Sequence, residues 1–267
     1  MKKYLIVNAD DFGLNKAIND GIIDSFRNGC VTSTSLMTTE NGFEDAIEKI
    51  RGNPSLDIGI HLNIVSGNTK NNLLLLFLKR LFDKKALREK IYREFENQIK
   101  KALNHEIKIS HMDTEKHVHI FPFILEIVIA LALKYGIKSI RFPFEKIDTW
   151  SGVSLRQSSK ILFSYLFYKR CSELLRQSGI NRPDFFYGIS LSKNFSIDKL
   201  KELMNNLKPG TSELSCHPAY KMIVISSFID SRSRDIERET LTSPELLSYI
   251  KEESIILTSF KNFSNQN

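Results

Sequence analysis

Short apolar segments alternate with longer helical patterns along the chain, and this alternation constrains the fold more than any other feature of the sequence. Apolar runs predict strands at 4–9, 31–38, 57–64, 107–114, 137–142, 184–189, 211–217 and 255–260. Helical patterns are predicted between them at 14–28, 42–51, 73–104 in two pieces, 122–135, 157–179, 197–206 and 243–252. Strands that alternate with helices form parallel sheets, because each helix returns the chain to the same edge.

About eight strands in 267 residues suit an α/β fold closed into a barrel related to the (β/α)₈ type. No linker rich in Pro or Gly divides the chain, so we expect one domain over residues 1–267. Residues 66–106 interrupt the rhythm and are predicted to be a helical insertion between two strands. Residues 218–240 are polar and irregular, which favours a loop over the barrel mouth.

Net charge permits an anionic partner without choosing one. The chain has 38 Lys and Arg residues against 31 Asp and Glu residues, a formal charge of +7. Residues 79–108 hold ten basic and five acidic residues, so most of this charge lies in the insertion. That segment lacks aromatic residues spaced for base stacking, which argues against nucleic acid. The nearby apolar run Leu73–Leu78 is compatible with a homodimer contact.

Cysteine usage and hydropathy indicate a cytoplasmic protein. Three cysteines without a C-x-x-C spacing suit free thiols in a reducing compartment. The longest apolar run, residues 127–133, has seven residues, far fewer than the roughly 20 that span a bilayer. The N-terminal apolar run, Tyr4–Val7, is too short for the core of a signal peptide. We therefore expect no transmembrane segment.

Acids and histidines follow several strands at their carboxyl ends, where active sites gather in parallel α/β folds. Strand one ends in Asn8-Ala9-Asp10-Asp11-Phe12-Gly13. A turn at Gly13 would let both carboxylates reach one pocket, as a metal ligand and a general base. In the alternative interpretation, one Asp caps the following helix. Strand three ends in His61, which is either a metal ligand or a structural residue.

Strand four has the densest pattern, His111-x-Asp113-x-Glu115-x-His117-x-His119. With a period of two, all five face one side while the chain stays extended, although one site can use only two or three of them. This alternation favours a divalent metal site over a solvated strand face.

Strand seven ends in Cys216-His217-Pro218. We prefer His217 as the working group and Cys216 as a small buried residue, because neighbours on a strand face apart. Arg141, after strand five, is expected either to orient a carboxylate or to form a surface salt bridge. No phosphate-binding glycine loop, G-x-S-x-G or dinucleotide fingerprint occurs. Together the strand ends indicate a mononuclear metal hydrolase.

The strand-end motifs occur in the order typical of one family. Asn8–Gly13, Gly59-Ile-His-Leu-Asn63, His111–Pro122 and Glu213-x-x-Cys-His-Pro218 resemble the YdjC-like carbohydrate deacetylases. The resemblance covers residues 4 to about 220. It implies a divergent (β/α) TIM-like barrel of seven or eight parallel strands, related to polysaccharide deacetylases. It also implies an enzyme that removes an N-acetyl group from an amino sugar or oligosaccharide with one divalent metal ion.

The resemblance also implies roles for individual residues. Asp11 and His61 become metal ligands, Asp10 the general base and His217 the general acid that protonates the departing amine. Arg141 is expected to orient Asp10. This assignment agrees with amide hydrolysis, which needs an activated water, stabilisation of the oxyanion and a proton for the leaving nitrogen.

Glu115 departs from the family pattern, which has a histidine at this position as the third metal ligand. We expect Glu115 to be the third ligand, with His117 as the alternative. Two carboxylates and one imidazole favour Mg²⁺ or Mn²⁺ over Zn²⁺, and of these we favour Mg²⁺. A weakened metal site is a further possibility, in which the chain is a catalytically impaired sugar-binding protein on the same barrel.

Overall fold

The computed structural model describes residues 2–64, 84–146, 155–191, 195–221 and 231–264, and all eight predicted strands lie within them. The strands are β1 (Lys3–Phe12), β2 (Ser33–Leu36), β3 (Asp57–Leu62), β4 (Ile109–Thr114), β5 (Ser139–Ile140), β6 (Phe185–Tyr187), β7 (Gly210–Cys216) and β8 (Ile256–Thr258). Every recorded strand pair is parallel, as the alternation of strands and helices predicts.

Each predicted helix that falls on described residues is also present. The helices are α1 (Lys16–Arg27), α2 (Phe43–Arg51), α3 (Lys84–Asn104), α4 (Pro122–Tyr135), α5 (Leu155–Ser178), α6 (Ile197–Asn205), α7 (Ser231–Leu241), α8 (Pro244–Glu252) and α9 (Phe260–Ser264). The insertion predicted at 66–106 is described from residue 84 onward, where it forms α3. The first part of the insertion, with the apolar run at 73–78, lies outside the described residues.

The sheet curls into a half-barrel with the order β5-β4-β3-β2-β1-β7-β6. β8 pairs with the first half of β1, with Tyr4 opposite Ile256. It therefore lies outside the order of the other seven strands. Among the described residues, Ser139 of β5 forms an isolated parallel bridge with Asn181, which precedes β6 in the chain. The predicted barrel class is therefore confirmed, as a curled sheet that leaves β5 and β6 without a continuous ladder.

The helices bury apolar faces against this sheet. In α3, Ile91, Phe95, Ile99 and Ala102 are buried at helical spacing, while most basic side chains of the helix face outward. α4 begins with Pro122 in its first turn and ends at Gly136, whose φ of 68° suits a left-handed helix cap. Within the described residues, no helix combines the length and the apolar content needed to cross a bilayer.

Helix α7 corrects the prediction that residues 218–240 form a loop, since 231–240 are helical. Its sequence, Ser-Arg-Ser-Arg-Asp-Ile-Glu-Arg-Glu-Thr-Leu, has no apolar stripe, and its buried residues are Glu237, Thr240 and Leu241. A helix held by polar contacts gives no signal in an apolar periodicity.

Gly59 of β3 offers a direct test of this packing. A Cβ atom at position 59 would overlap the imidazole ring of His111, which is stacked on Phe260 with ring centroids 3.8 Å apart. The ring is therefore held on both faces and cannot move aside. We expect Gly59→Ala to lower the free energy of unfolding by about 1–3 kcal/mol, measured by urea denaturation.

Gly52→Ala is the matched control. The nearest atoms to a Cβ at position 52 are 3.6 Å away, and its φ of −78° suits any residue. This variant should unfold at the wild-type urea concentration. Equal stability of the two variants would contradict the packing of β3 against His111.

Candidate active site at the carboxyl ends of the strands

The parallel register brings polar side chains from five segments to one end of the sheet. His61 pairs in register with Asp113, and Ala9 pairs with Cys216, so β1, β3, β4 and β7 end at the same edge. The buried or half-buried polar residues gathered there are Asp10, Asp11, His61, Asp113, Arg141, Glu213 and His217.

Arg141 lies at the centre of this group and is fully buried. Its Nη1 and Nη2 donate to the two carboxylate oxygens of Asp10 at 2.7 and 2.6 Å. Its Nε donates to Glu213 at 2.6 Å, and Nη1 lies 2.8 Å from Asp113 Oδ2. Arg141 therefore contacts Asp10, as the family resemblance implies, and is not part of a surface salt bridge.

The three carboxylates around Arg141 differ in charge state. Burial favours the neutral acids, but Arg141 outweighs burial at Asp10 and holds its pKa well below the usual value. Arg141 and His61 likewise lower the pKa of Asp113. At Glu213 burial outweighs Arg141 and, with the two nearby aspartates, raises the pKa to about 8. Two ionised aspartates and a largely protonated Glu213 therefore surround the guanidinium near neutral pH.

His61 lies between the inner group, formed by Arg141 and its three carboxylates, and Asp11, which lies nearer the solvent. Its Nδ1 lies 2.6 Å from Asp113 Oδ1, and its Nε2 lies 3.6 Å from Asp11 Oδ1. Burial alone would lower its pKa, but Asp113, Asp10 and Asp11 raise it to about 9. A carboxylate on one ring nitrogen is the arrangement that commonly orients a metal-binding histidine.

Asp10 and Asp11 both reach this pocket, although they are adjacent on β1. Asp11 has a left-handed backbone with a φ of 68°, and Gly13 follows with a φ of 94°. The strand therefore stops alternating at Asp11. The competing interpretation, that one of these acids caps the next helix, is wrong: Asn15 caps α1, and its side chain accepts the backbone N–H of Ile18 at 3.0 Å.

Among the described residues, Asp10, His61 and Asp113 form a group with ligand atoms within 4.8 Å of one another, close enough to hold a metal ion. Both oxygens of Asp10 already accept hydrogen bonds, from Arg141, Asn8 and Ser215. Asp113 is engaged by His61, Ser35 and Arg141. The space between Asp11 Oδ1 and His61 Nε2 is a better position for a cation, because the hydrogen bonds of these two side chains within the described residues use the other atoms, Oδ2 and Nδ1.

Strand four departs from the extended pattern predicted for residues 111–119. β4 ends at Thr114, and residues 115–120 form a 3₁₀ turn in which Lys116 and His117 have φ values of 56° and 55°. His119 folds back, with its Nε2 3.0 Å from the carbonyl of Arg141. The expectation that five side chains share one strand face is therefore wrong, because the left-handed residues reverse the chain.

The two candidates for a third metal ligand lie in this turn. Glu115 is 27% exposed, and its carboxylate pairs with Lys116 at 3.3 Å. His117 has a buried Nδ1 without a hydrogen-bond partner in the described structure. Burial, followed by the charge of Arg141, holds the pKa of His117 well below its usual value, so the imidazole is neutral. A neutral imidazole with an unengaged nitrogen suits a metal ligand.

His217 lies at the solvent side of the pocket, and its side chain is 35% exposed. Its Nε2 is 3.9 Å from Asp10 Oδ2, and its backbone N–H donates to Glu237 at 2.6 Å. Cys216 is fully buried, with its thiol 3.4 Å from the carbonyl of Asn8. Cys216 is therefore the small buried residue that the alternation of the strand predicts, and the role of His217 as the working group stays a prediction.

Two residues of α7 also reach the site, and the sequence reasoning missed both. Arg234 forms a very short contact with Asp11, while Glu237 is buried beside His217. The two residues are three positions apart and so share one face of the helix. The spacing of three between this arginine and this glutamate is the sequence feature that indicates a helix face directed at the site. The rest of the segment is typical of a loop.

Comparisons with known proteins agree on one family. The sequence matches the family model described as YdjC-like protein over residues 4–252. A carbohydrate deacetylase of Clostridium beijerinckii is 34% identical, with 97% of this chain and 99% of the relative aligned. One from Thermoanaerobacter pseudethanolicus is 29% identical over 97% and 98% of the two chains.

A solved structure shows the same fold. A proposed cellobiose-phosphate cleavage protein from Enterococcus faecalis V583 superposes with a TM-score of 0.75 and 27% identity, covering 98% of this chain and 99% of its own.

Replacing Arg141 tests the electrostatics of the inner group. Arg141→Met leaves buried carboxylates without their counter-ion, and we expect a loss of about 3–5 kcal/mol in the free energy of unfolding near pH 7. In wild type the pKa of Asp10 is lower in the folded chain than in the unfolded chain, and this difference stabilises the fold at a pH above the unfolded-chain pKa. The stabilisation is lost as the pH falls through the pKa of Asp10 in the folded chain. In the variant these acids bind protons in the folded state, so its loss relative to wild type should shrink towards about pH 5.

Arg88→Met provides the control, since Arg88 pairs with Glu126 at 2.7 Å on the surface. Urea denaturation should show a change of at most about 1 kcal/mol for this variant. Similar losses for both variants, or a loss at Arg141 that does not depend on pH, would contradict the assigned role.

Proposed function

The chain belongs to the YdjC-like family, and from that premise we propose that it is a metal-dependent carbohydrate deacetylase. In this proposal it hydrolyses the N-acetyl amide of an amino sugar or oligosaccharide and releases acetate. The observation that carries the proposal is the pair of facing atoms, Asp11 Oδ1 and His61 Nε2, 3.6 Å apart beside Asp10 and His217. Relatives named carbohydrate deacetylases, aligned over nearly the whole chain, support the substrate class.

Asp11 and His61 would hold a divalent metal ion. Their separation suits two ligands of one ion, and Asp113 fixes the other nitrogen of the His61 ring. Glu115 or His117 would supply the third protein ligand, and the unpartnered Nδ1 supports His117. With Glu115 the donor set favours Mg²⁺ or Mn²⁺, whereas a second imidazole makes Mn²⁺ and Zn²⁺ more suitable.

The proposed reaction divides the proton transfers between two side chains. A bound divalent ion lowers the pKa of a water and polarises the acyl carbonyl. Asp10, which Arg141 keeps ionised, accepts a proton from the attacking water. As the water oxygen bonds to the acyl carbon and the C–N bond breaks, His217 donates a proton to the departing nitrogen. Asp10 Oδ2 lies 3.9 Å from His217 Nε2, and this distance supports dividing the two proton transfers between these side chains.

Acetate release tests the proposal. Purified protein with added Mg²⁺ or Mn²⁺ should release acetate from an N-acetylated oligosaccharide. The panel should include phosphorylated disaccharides, given the activity proposed for the Enterococcus relative. EDTA should abolish release and added metal should restore it. Asp10→Asn should lower kcat by about 10²–10⁴-fold, the range for loss of a general base.

Asp20→Asn is the matched control, because Asp20 is a surface acid paired with Lys16 and Lys49. This variant should keep the wild-type rate. Acetate release that persists in EDTA and in Asp10→Asn would overturn the proposal. Sugar binding without acetate release in any metal would instead favour a sugar-binding protein without catalysis.

A further inference from the structure

Arg234 is a second arginine at the site, in addition to Arg141, and it is half-buried. Its Nη2 contacts Asp11 Oδ2, and the side chains of Arg234 and Asp11 are 13% and 12% exposed. This contact leaves Asp11 Oδ1 facing His61. The guanidinium of Arg234 therefore holds the carboxylate oxygen of this proposed metal ligand that His61 does not face.

The position of Arg234 is fixed by the docking of α7. The backbone carbonyl of Arg234 accepts the N–H of Ala219 at 3.1 Å. One turn later, Glu237 accepts the N–H of His217 at 2.6 Å. Both contacts join α7 to the segment that follows β7, which also carries His217. The same helix face thus reaches the metal ligand and the proposed general acid.

One nitrogen of Arg234 has no hydrogen-bond acceptor in the part of the chain that the structure describes. This nitrogen, Nη1, is buried. Arg141 differs, because its Nε, Nη1 and Nη2 all contact carboxylates. A buried guanidinium N–H without an acceptor is costly, so this atom is suited to an acceptor that arrives with a ligand.

We propose that Nη1 of Arg234 donates a hydrogen bond to the acyl oxygen of the substrate and afterwards to the acetate product. The inference rests on the proposed function. When the water oxygen bonds to the acyl carbon, the carbonyl electron pair moves onto the acyl oxygen, which becomes negative. A charged donor held in place stabilises that oxygen more than the neutral amide. Cleavage of the C–N bond then leaves the charge on acetate, which the same donor binds.

The variant Arg234→Lys distinguishes a hydrogen-bond donor to the acyl oxygen from a residue that only balances the charge of Asp11. Lysine keeps the positive charge but lacks the planar fork with its second donor. We expect kcat to fall by about 10²-fold, the usual cost of losing one oxyanion donor. The Kd for Mn²⁺, measured by titration calorimetry, should stay within about threefold, because Asp11 keeps a cationic partner. Arg232→Lys, on the exposed side of α7, is the matched control and should keep the wild-type kcat.

Acetate binding provides a readout that does not need turnover. Titration of Mn²⁺-loaded protein with acetate should give a Kd at least about tenfold weaker in Arg234→Lys and Arg234→Gln than in wild type and Arg232→Lys. Thermal melting verifies that each variant is folded.

The outcomes separate this inference from the proposed function. Unchanged kcat and acetate affinity in Arg234→Lys would overturn the inference alone. A parallel loss of Mn²⁺ affinity and kcat would also overturn it, in favour of a counter-ion role. Absence of acetate release by wild type from every sugar would overturn the proposed function, while the acetate titration would still decide whether Arg234 binds the anion.

Discussion

The buried guanidinium of Arg141 is the interaction on which the rest of the site depends. It binds Asp10 on β1, Asp113 on β4 and Glu213 on β7, so one cation joins the carboxyl ends of three strands. Asp10 and Asp113 would not remain ionised at this depth without it, because burial favours the neutral form of each carboxyl group. Asp113 in turn holds His61, and Asp10 stands beside His217. Arg141 therefore determines the positions of His61 and His217 through the two aspartates that it binds.

Hydrogen bonding divides the pocket into two layers with different tasks. In the inner layer around Arg141, each oxygen of Asp10 and Asp113 has a partner from the protein. Glu213 Oε2 has no hydrogen-bond partner among the described residues. In the outer layer, His117 Nδ1 and Arg234 Nη1 are buried and have no hydrogen-bond partner among the residues that the structure describes. Buried polar atoms without partners are uncommon in folded proteins, and these two nitrogens indicate where a ligand belongs. The inner layer fixes positions, and the outer layer is available for chemistry.

Much of this arrangement could be predicted from the sequence. Asp10, Asp11, His61, Arg141 and His217 follow apolar strands, and a parallel sheet necessarily brings such residues to one edge. The reversal after Thr114 could not be predicted, because a period of two looks the same whether the chain continues or turns, and only the positive φ values of Lys116 and His117 break it. Helix α7 was missed because Arg234 and Glu237 hold it to the site through polar contacts, which leave no apolar pattern. Which carboxylates Arg141 binds depends on the register between strands that are far apart in the sequence. A local sequence pattern contains no information about that register.

The central claim is that Asp11 Oδ1 and His61 Nε2 bind one divalent ion above the Arg141 group. Anomalous scattering from crystals soaked in Mn²⁺ tests it most directly. The account predicts a single strong peak within bonding distance of both atoms, with either Glu115 or His117 as the third protein ligand. A peak bound by Asp10 and Asp113 in place of Asp11, or no peak at this end of the sheet at full Mn²⁺ saturation, would contradict it.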